Sequence, residues 1–143
     1  MPGFASDVGT FGQQMTSDTP AKPRILVMDD DEDVRFIADF MLQRLGCTVV
    51  LTASGTEAIG RYRESLAEGG RFHAVILDIN IPGSMGGREV FKQLHAIDPQ
   101  VTAFISSGNP FDPIMESPTS FGFAGAISKP FIAENLHSLL PAM

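Results

Sequence analysis

Five short apolar runs, each followed by a polar or charged residue, constrain the fold of this chain more than any other feature. They are Ile25-Leu26-Val27-Met28, Thr48-Val49-Val50-Leu51, Ala74-Val75-Ile76-Leu77, Ala103-Phe104-Ile105 and Gly125-Ala126-Ile127. Runs this short suit strands rather than helices. They are continuous instead of alternating, as expected of strands buried on both faces of a parallel sheet. The longer segments between them are amphipathic, so the pattern predicts an α/β domain: a doubly wound five-stranded parallel sheet with helices on both faces.

Helical spacing relates Val34, Ile37, Ala38, Met41 and Leu45, with Gly46 as the stop. It also relates Ala58, Ile59, Tyr62 and Leu66, behind a capping box at Ser54-Gly55-Thr56-Glu57. Val90, Phe91, Leu94 and Ile97 form a third stripe ended by Pro99, and Ile132, Leu136, Leu139 and Leu140 the last. Pro110, Pro113 and Pro118 interrupt the remaining interval, so the fourth helix is expected to be short or irregular.

The 143 residues fit one domain. Residues 1–22, rich in Gly, Ser, Thr and Pro, read as a flexible N-terminal tail, and 23–143 as the folded domain. Cys47 is the single cysteine and lies in an apolar context, which points to a packed thiol. The net charge is -7, with no Lys/Arg cluster, which argues against direct nucleic-acid binding. No run approaches a membrane span and no signal-peptide pattern opens the chain, so a cytoplasmic protein is expected.

In an open parallel sheet, ligands bind beyond the carboxyl ends of the strands. The residues there are Asp29 and Asp30 after the first run, Asp78 after the third, Ser106 and Ser107 after the fourth, and Ser128 and Lys129 after the fifth. Three carboxylates in one crevice repel one another unless a cation joins them, and hard oxygen ligands suit Mg²⁺ or Mn²⁺. An aspartate beside a metal and an ammonium group is a competent phosphoryl acceptor. Asp78 is the candidate nucleophile and Lys129 its counter-charge. Of the two serines, Ser107 is favoured because Gly108 beside it permits close backbone approach. Asp31 and Asp33 are read as a solvated helix start. His73, His95 and His137 have no metal-ligand spacing and are read as surface residues.

Together, Ile25-Leu26-Val27-Met28-Asp29-Asp30-Asp31-Glu32-Asp33-Val34-Arg35, Leu77-Asp78-Ile79-Asn80-Ile81-Pro82-Gly83, Ile105-Ser106-Ser107-Gly108 and Ser128-Lys129-Pro130-Phe131 resemble the receiver domain of response regulators, over about residues 24 to 140. That resemblance implies a flavodoxin-like receiver fold with strand order 2-1-3-4-5. It implies that Asp78 takes a phosphoryl group from a phosphohistidine on a sensor histidine kinase or histidine phosphotransfer protein, as a switch rather than an enzyme. Mg²⁺ would be held by Asp30 directly, by Asp29 through water, by Asp78, and by the backbone carbonyl of Asn80. Ser107 would bond the phosphoryl group, Lys129 would pair with it, and Asn80 and Asn109 would tune its lifetime. The Lys129-Pro130 bond would be cis.

The resemblance further implies a homodimer through the fourth and fifth helices, with Gly122, Phe123 and Phe131 adding apolar surface. Ile81-Pro82-Gly83-Ser84-Met85-Gly86-Gly87-Arg88-Glu89 and Gly122-Phe123-Ala124-Gly125 are similar to receivers associated with hybrid sensor histidine kinases. Two positions depart from the common pattern: the loop after Pro82 is one residue longer, and Ala126 stands where many receivers carry Tyr or Phe.

Two other functions fit part of the pattern. Haloacid-dehalogenase-like phosphohydrolases also combine an Asp nucleophile, Mg²⁺ and a doubly wound sheet, but need a second Asp two positions on. Asn80 occupies that place after Asp78, leaving Asp29-x-Asp31 as the possible match. A receiver-like binding module that is never phosphorylated would have no need of Asp29, Asp30, Asp78, Ser107 and Lys129 together.

Overall fold

A computed structural model describes residues 22–137 and Leu139. The tail expected at the N-terminus lies outside the described residues except for Lys22, and so does Leu140 of the last stripe. Five strands form one sheet: β1 Arg24–Met28, β2 Thr48–Thr52, β3 Ala74–Asp78, β4 Ala103–Ser107 and β5 Gly125–Ser128. Every pairing is parallel and the order is β2-β1-β3-β4-β5, with the reversal at β1 and β3. All five carboxyl ends therefore open on one edge, and Asp78 at the end of β3 is paired in register with Ser106 of β4.

Alternation along the central strands divides the core. Leu26, Met28, Val75, Leu77 and Ile105 face Ala58, Ile59 and Tyr62 of α2 (Gly55–Ala67) and Val90, Phe91 and Leu94 of α3 (Gly87–Ile97). Ile25, Val27 and Ile76 face the opposite way, onto Ala38 and Leu42 of α1 (Glu32–Arg44) and Leu136 of α5 (Ala133–His137). Apolar residues on both sides explain why the strands read as continuous hydrophobic runs.

The caps follow local chemistry. Asp31 starts α1 by accepting from the backbone N–H groups of Asp33 and Val34, and Gly46 ends it at φ 91°. Ser54 accepts from the N–H of Glu57, whose own carboxylate takes the N–H of Ala53, completing the expected box. The proline-broken interval holds a single turn, α4 (Pro113–Glu116), then a 3₁₀ turn at Pro118–Phe121. The stripe of α1 is rotated from the expectation: Ile37 is 39% exposed, whereas Leu42 is fully buried. At 100° per residue the core-facing line runs through Val34, Ala38, Met41 and Leu45, and Ile37 falls outside it.

Cys47 is buried, and burial raises its thiol pKa. The three histidines are exposed as expected. Phe123 and Phe131, expected to add surface to a pairing face, are instead core residues at 2% and 4% exposure. Each is the first large apolar residue beside its strand, and burying such a ring against the sheet is worth about 1.5–3 kcal/mol.

Candidate functional site

The carboxyl edge brings together side chains from β1, β3 and β5. Asp29 and Asp78 are buried and Asp30 is exposed, and one carboxylate oxygen of each lies within 4.8 Å of the others. Lys129, delivered by the end of β5, places Nζ 2.6 Å from Asp29 Oδ2 and 3.2 Å from Asp78 Oδ2. The Lys129-Pro130 peptide is cis, as expected. Asp29 Oδ1 accepts from the N–H of Asp31 at 2.9 Å, while the N–H of Asn80 approaches Asp78 Oδ1 at 3.5 Å.

These contacts set the protonation behaviour. Burial, and then the charge of Asp29, raise the Asp78 pKa, with Lys129 and the Asn80 N–H acting in opposition. Burial disfavours the Lys129 ammonium, yet its bonds and charge attraction to Asp29 and Asp78 outweigh that and leave its pKa raised. Two buried carboxylates and the exposed Asp30 thus share one partly buried ammonium group.

Both serines of β4 are buried. Ser107 Oγ accepts from the N–H of Asn109 at 2.9 Å, which holds the hydroxyl at the start of the loop. Ser106 Oγ finds no hydrogen-bond partner among the described residues. Asn80, Asn109 and Ser128 are exposed around the rim. Asp31 belongs to the helix start, since its carboxylate is engaged in the cap, which removes it as the acid-base partner of a hydrolase.

Two supports were not assigned from sequence. Arg35 Nη1 donates to the backbone carbonyl of Asp29 at 2.8 Å, fastening the end of β1 to α1. A cation near a helix N-terminus opposes the macrodipole, and that anomaly was the readable signal. Gly86 and Gly87 let the loop after β3 fold back onto the strand. A Cβ at Gly87 would stand 2.8 Å from the Asp78 carbonyl, and one at Gly86 would collide with that of Ile79.

The family model for the response regulator receiver domain matches residues 25–141. The chain belongs to the response regulator receiver family. As a receiver, it is a component of two-component signal transduction. Its relatives include the C4-dicarboxylate transport transcriptional regulatory protein DctD of Rhizobium meliloti (strain 1021), 33% identical over 116 residues. That match covers 81% of this chain but 24% of DctD, so the receiver corresponds to about a quarter of its relative's length.

Among solved structures, chemotaxis protein CheY4 of Vibrio cholerae superposes with a TM-score of 0.71 at 27% identity, covering 84% of this chain and 97% of that one. The receiver domain of sensor histidine kinase PA1611 from Pseudomonas aeruginosa PAO1, solved with a magnesium ion coordinated in its active site cleft, shares the fold at TM-score 0.69 and 24% identity, covering 84% of this receiver and 95% of that chain. Among the described residues of this receiver, no helix is long and apolar enough to cross a membrane.

Proposed function

We propose that this receiver takes a phosphoryl group from a phosphohistidine onto Asp78 and changes a partner-binding surface as a result. The observation that carries the reading is the cluster of Asp29, Asp30 and Asp78 with one oxygen of each within 4.8 Å, closed on one side by Lys129. The donors are hard oxygens, and the Asp78 pKa is raised first by burial and then by the Asp29 charge, both of which a cation beside the carboxylates would offset, so the residues present fit Mg²⁺. Asp30 would hold the ion directly, Asp29 through water, and Asp78 and the Asn80 carbonyl would complete the protein's share. Bound there, Mg²⁺ offsets the charge on the transferring phosphoryl oxygens.

An Asp78 carboxylate oxygen attacks the phosphorus, the P–N bond to the partner's imidazole breaks, and the freed ring nitrogen takes up a proton. Lys129, already 3.2 Å from Asp78, pairs with the phosphoryl oxygens, and Ser107 leaves the Asn109 N–H to donate to one of them. The added charge rearranges the β4–α4 segment that begins at Ser107.

The donor is a sensor histidine kinase or histidine phosphotransfer protein, and the receiver catalyses nothing beyond its own phosphorylation and dephosphorylation. A homodimer through α4 and α5, association with a hybrid kinase, and a cytoplasmic location belong to the same reading.

Incubation with acetyl phosphate, with and without Mg²⁺, followed by intact-mass measurement tests it. One phosphate added only with Mg²⁺, and abolished in Asp78→Asn, is the expected result. Binding of Mg²⁺ with neither adduct nor turnover would make the domain an unphosphorylated module. Rapid acetyl phosphate turnover without adduct would make it a hydrolase.

A further inference from the structure

The outer face of α3 carries a groove that the phosphoacceptor reading does not use. Its lower part, about 520 Å³, is lined by Phe91, Lys92, His95, Pro99, Val101 and Gly122. Its upper part, about 320 Å³, is lined by Ile79, Gly86, Arg88, Glu89 and Lys92. Lys92 borders both, so the two parts adjoin along the helix. The upper end is thereby built from the loop that leaves Asp78.

The proline-broken interval accounts for the opening. With only one α-helical turn at α4, no long helix follows β4 to lie alongside α3. Gly122, at φ 93°, shapes the wall, because a Cβ there would stand 2.9 Å from the Phe91 ring. Phe91 lines the apolar floor, and the buried Phe123 ring packs against it with centroids 4.6 Å apart.

Charge selects the occupant. Arg88, Lys92 and His95 recur at i, i+4 and i+7 and are all exposed. Among the described residues, the ion pairs engage Arg61, Arg71 and Lys129, so neither Arg88 nor Lys92 has a carboxylate partner. Arg88 instead lies over the Phe121 ring at 4.9 Å. Two unneutralised cations beside the Phe91 ring form a positive strip on a chain of net charge -7. Among the described residues, Glu89 on the upper rim is the one acidic residue lining the groove.

We propose that the α3 groove is a docking surface for an acidic, amphipathic peptide segment of a protein partner, with carboxylates on Arg88 and Lys92 and an apolar side chain against Phe91. This goes beyond the phosphoacceptor reading and does not depend on it.

The test titrates the ¹⁵N-labelled receiver with a synthetic 14-residue peptide alternating Glu-Glu and Leu-Phe pairs, and with the same peptide carrying Lys for Glu. Expected are amide shifts centred on residues 88–95 and 122–123, weakening with added salt. The Lys peptide should give none, and Arg88→Glu/Lys92→Glu should bind at least tenfold more weakly. The milder Arg88→Gln/Lys92→Gln pair guards against misfolding and should lose affinity in the same direction. Shifts centred elsewhere, equal binding by the variants, or equal binding by the Lys peptide would overturn the proposal. So would binding of phosphatidylglycerol vesicles through the same residues while the acidic peptide is ignored, which would make the strip a lipid surface.

Discussion

Lys129 Nζ lies closer to Asp29 than to the acceptor Asp78, at 2.6 against 3.2 Å, and Asp29 is almost completely buried. Without a metal, the lysine's first task is to neutralise the buried partner carboxylate. Lys129→Met strands that charge, and breaking a buried pair from one side costs about 3–5 kcal/mol. Thermal unfolding in EDTA should therefore show a large loss of stability. Saturating Mg²⁺ should restore more stability to the variant than it adds to the wild type. Equal Mg²⁺ effects on both would mean that the ammonium and the ion do not share this task.

Asp78 shows the opposite sign. Its folded pKa is raised by burial and by Asp29, so ionising it opposes folding, a cost present above the folded pKa and absent below the ordinary aspartate value. In EDTA at neutral pH, Asp78→Asn should melt higher than the wild type. The gap should close as the pH is lowered through the raised pKa toward about 4. A variant that melts lower than wild type at pH 7 would show that ionising the buried Asp78 beside Asp29 does not oppose folding.

At the opposite edge of the sheet, Asp98 behaves in the ordinary way. Tyr62 donates to Asp98 Oδ2 at 2.7 Å, Arg71 grips both oxygens at 2.9 and 3.1 Å, and the Gln100 N–H donates at 3.0 Å. Burial would raise the Asp98 pKa, but these donors prevail and lower it, while burial and the Asp98 bond raise that of Tyr62. The stability supplied is complete above the ordinary aspartate value and is lost as pH falls through the depressed one. Tyr62→Phe should cost about 1.5–3 kcal/mol by denaturant titration at pH 7, the scale of a hydrogen bond to a charged group. It should also move the acid-unfolding midpoint upward. An unchanged midpoint would show that the tyrosine does not hold the carboxylate.

Two glycines give opposite predictions. Gly87→Ala drives a Cβ to 2.6 Å from Ile105 and 2.8 Å from the Asp78 carbonyl, an overpacking cost of about 1–3 kcal/mol. It should also slow phosphorylation by acetyl phosphate, because the displaced carbonyl belongs to the acceptor. Gly60→Ala meets nothing within 4 Å on the exposed side of α2 and should add about 0.5–1 kcal/mol with phosphorylation unchanged. Chemical denaturation and phosphorylation rates, measured on both, separate local crowding from a general effect of alanine.

Much of the site was readable because it lies where strands end. A polar residue directly after a buried run in a parallel sheet has one place to go, and Asp29, Asp78 and Lys129 all went there. The helix caps at Asp31, Ser54 and Gly46 were equally legible, since a cap is settled within a few residues. Ile37 was misplaced because a stripe read from sequence has an uncertain edge, and packing against the sheet chooses the rotation. Phe123 and Phe131 were misassigned to a surface because no local rule says which side of the chain a ring beside a strand will take.

The sequence by itself determined the alternating architecture, the strand ends and the set of groups at the carboxyl edge. These follow from periodicity, capping and the valence of each side chain. Tertiary structure alone decided that Lys129 reaches Asp29 before Asp78, that Arg35 turns back to the Asp29 carbonyl, and that the Ser107 hydroxyl rests on Asn109 while the Ser106 hydroxyl has no partner among the described residues. It also set Gly122 against Phe91 in the wall of the groove on α3, whose opening the prolines of the interval had prepared. Those outcomes depend on distances of a few tenths of an ångström between residues up to a hundred positions apart, which only the packed sheet brings together.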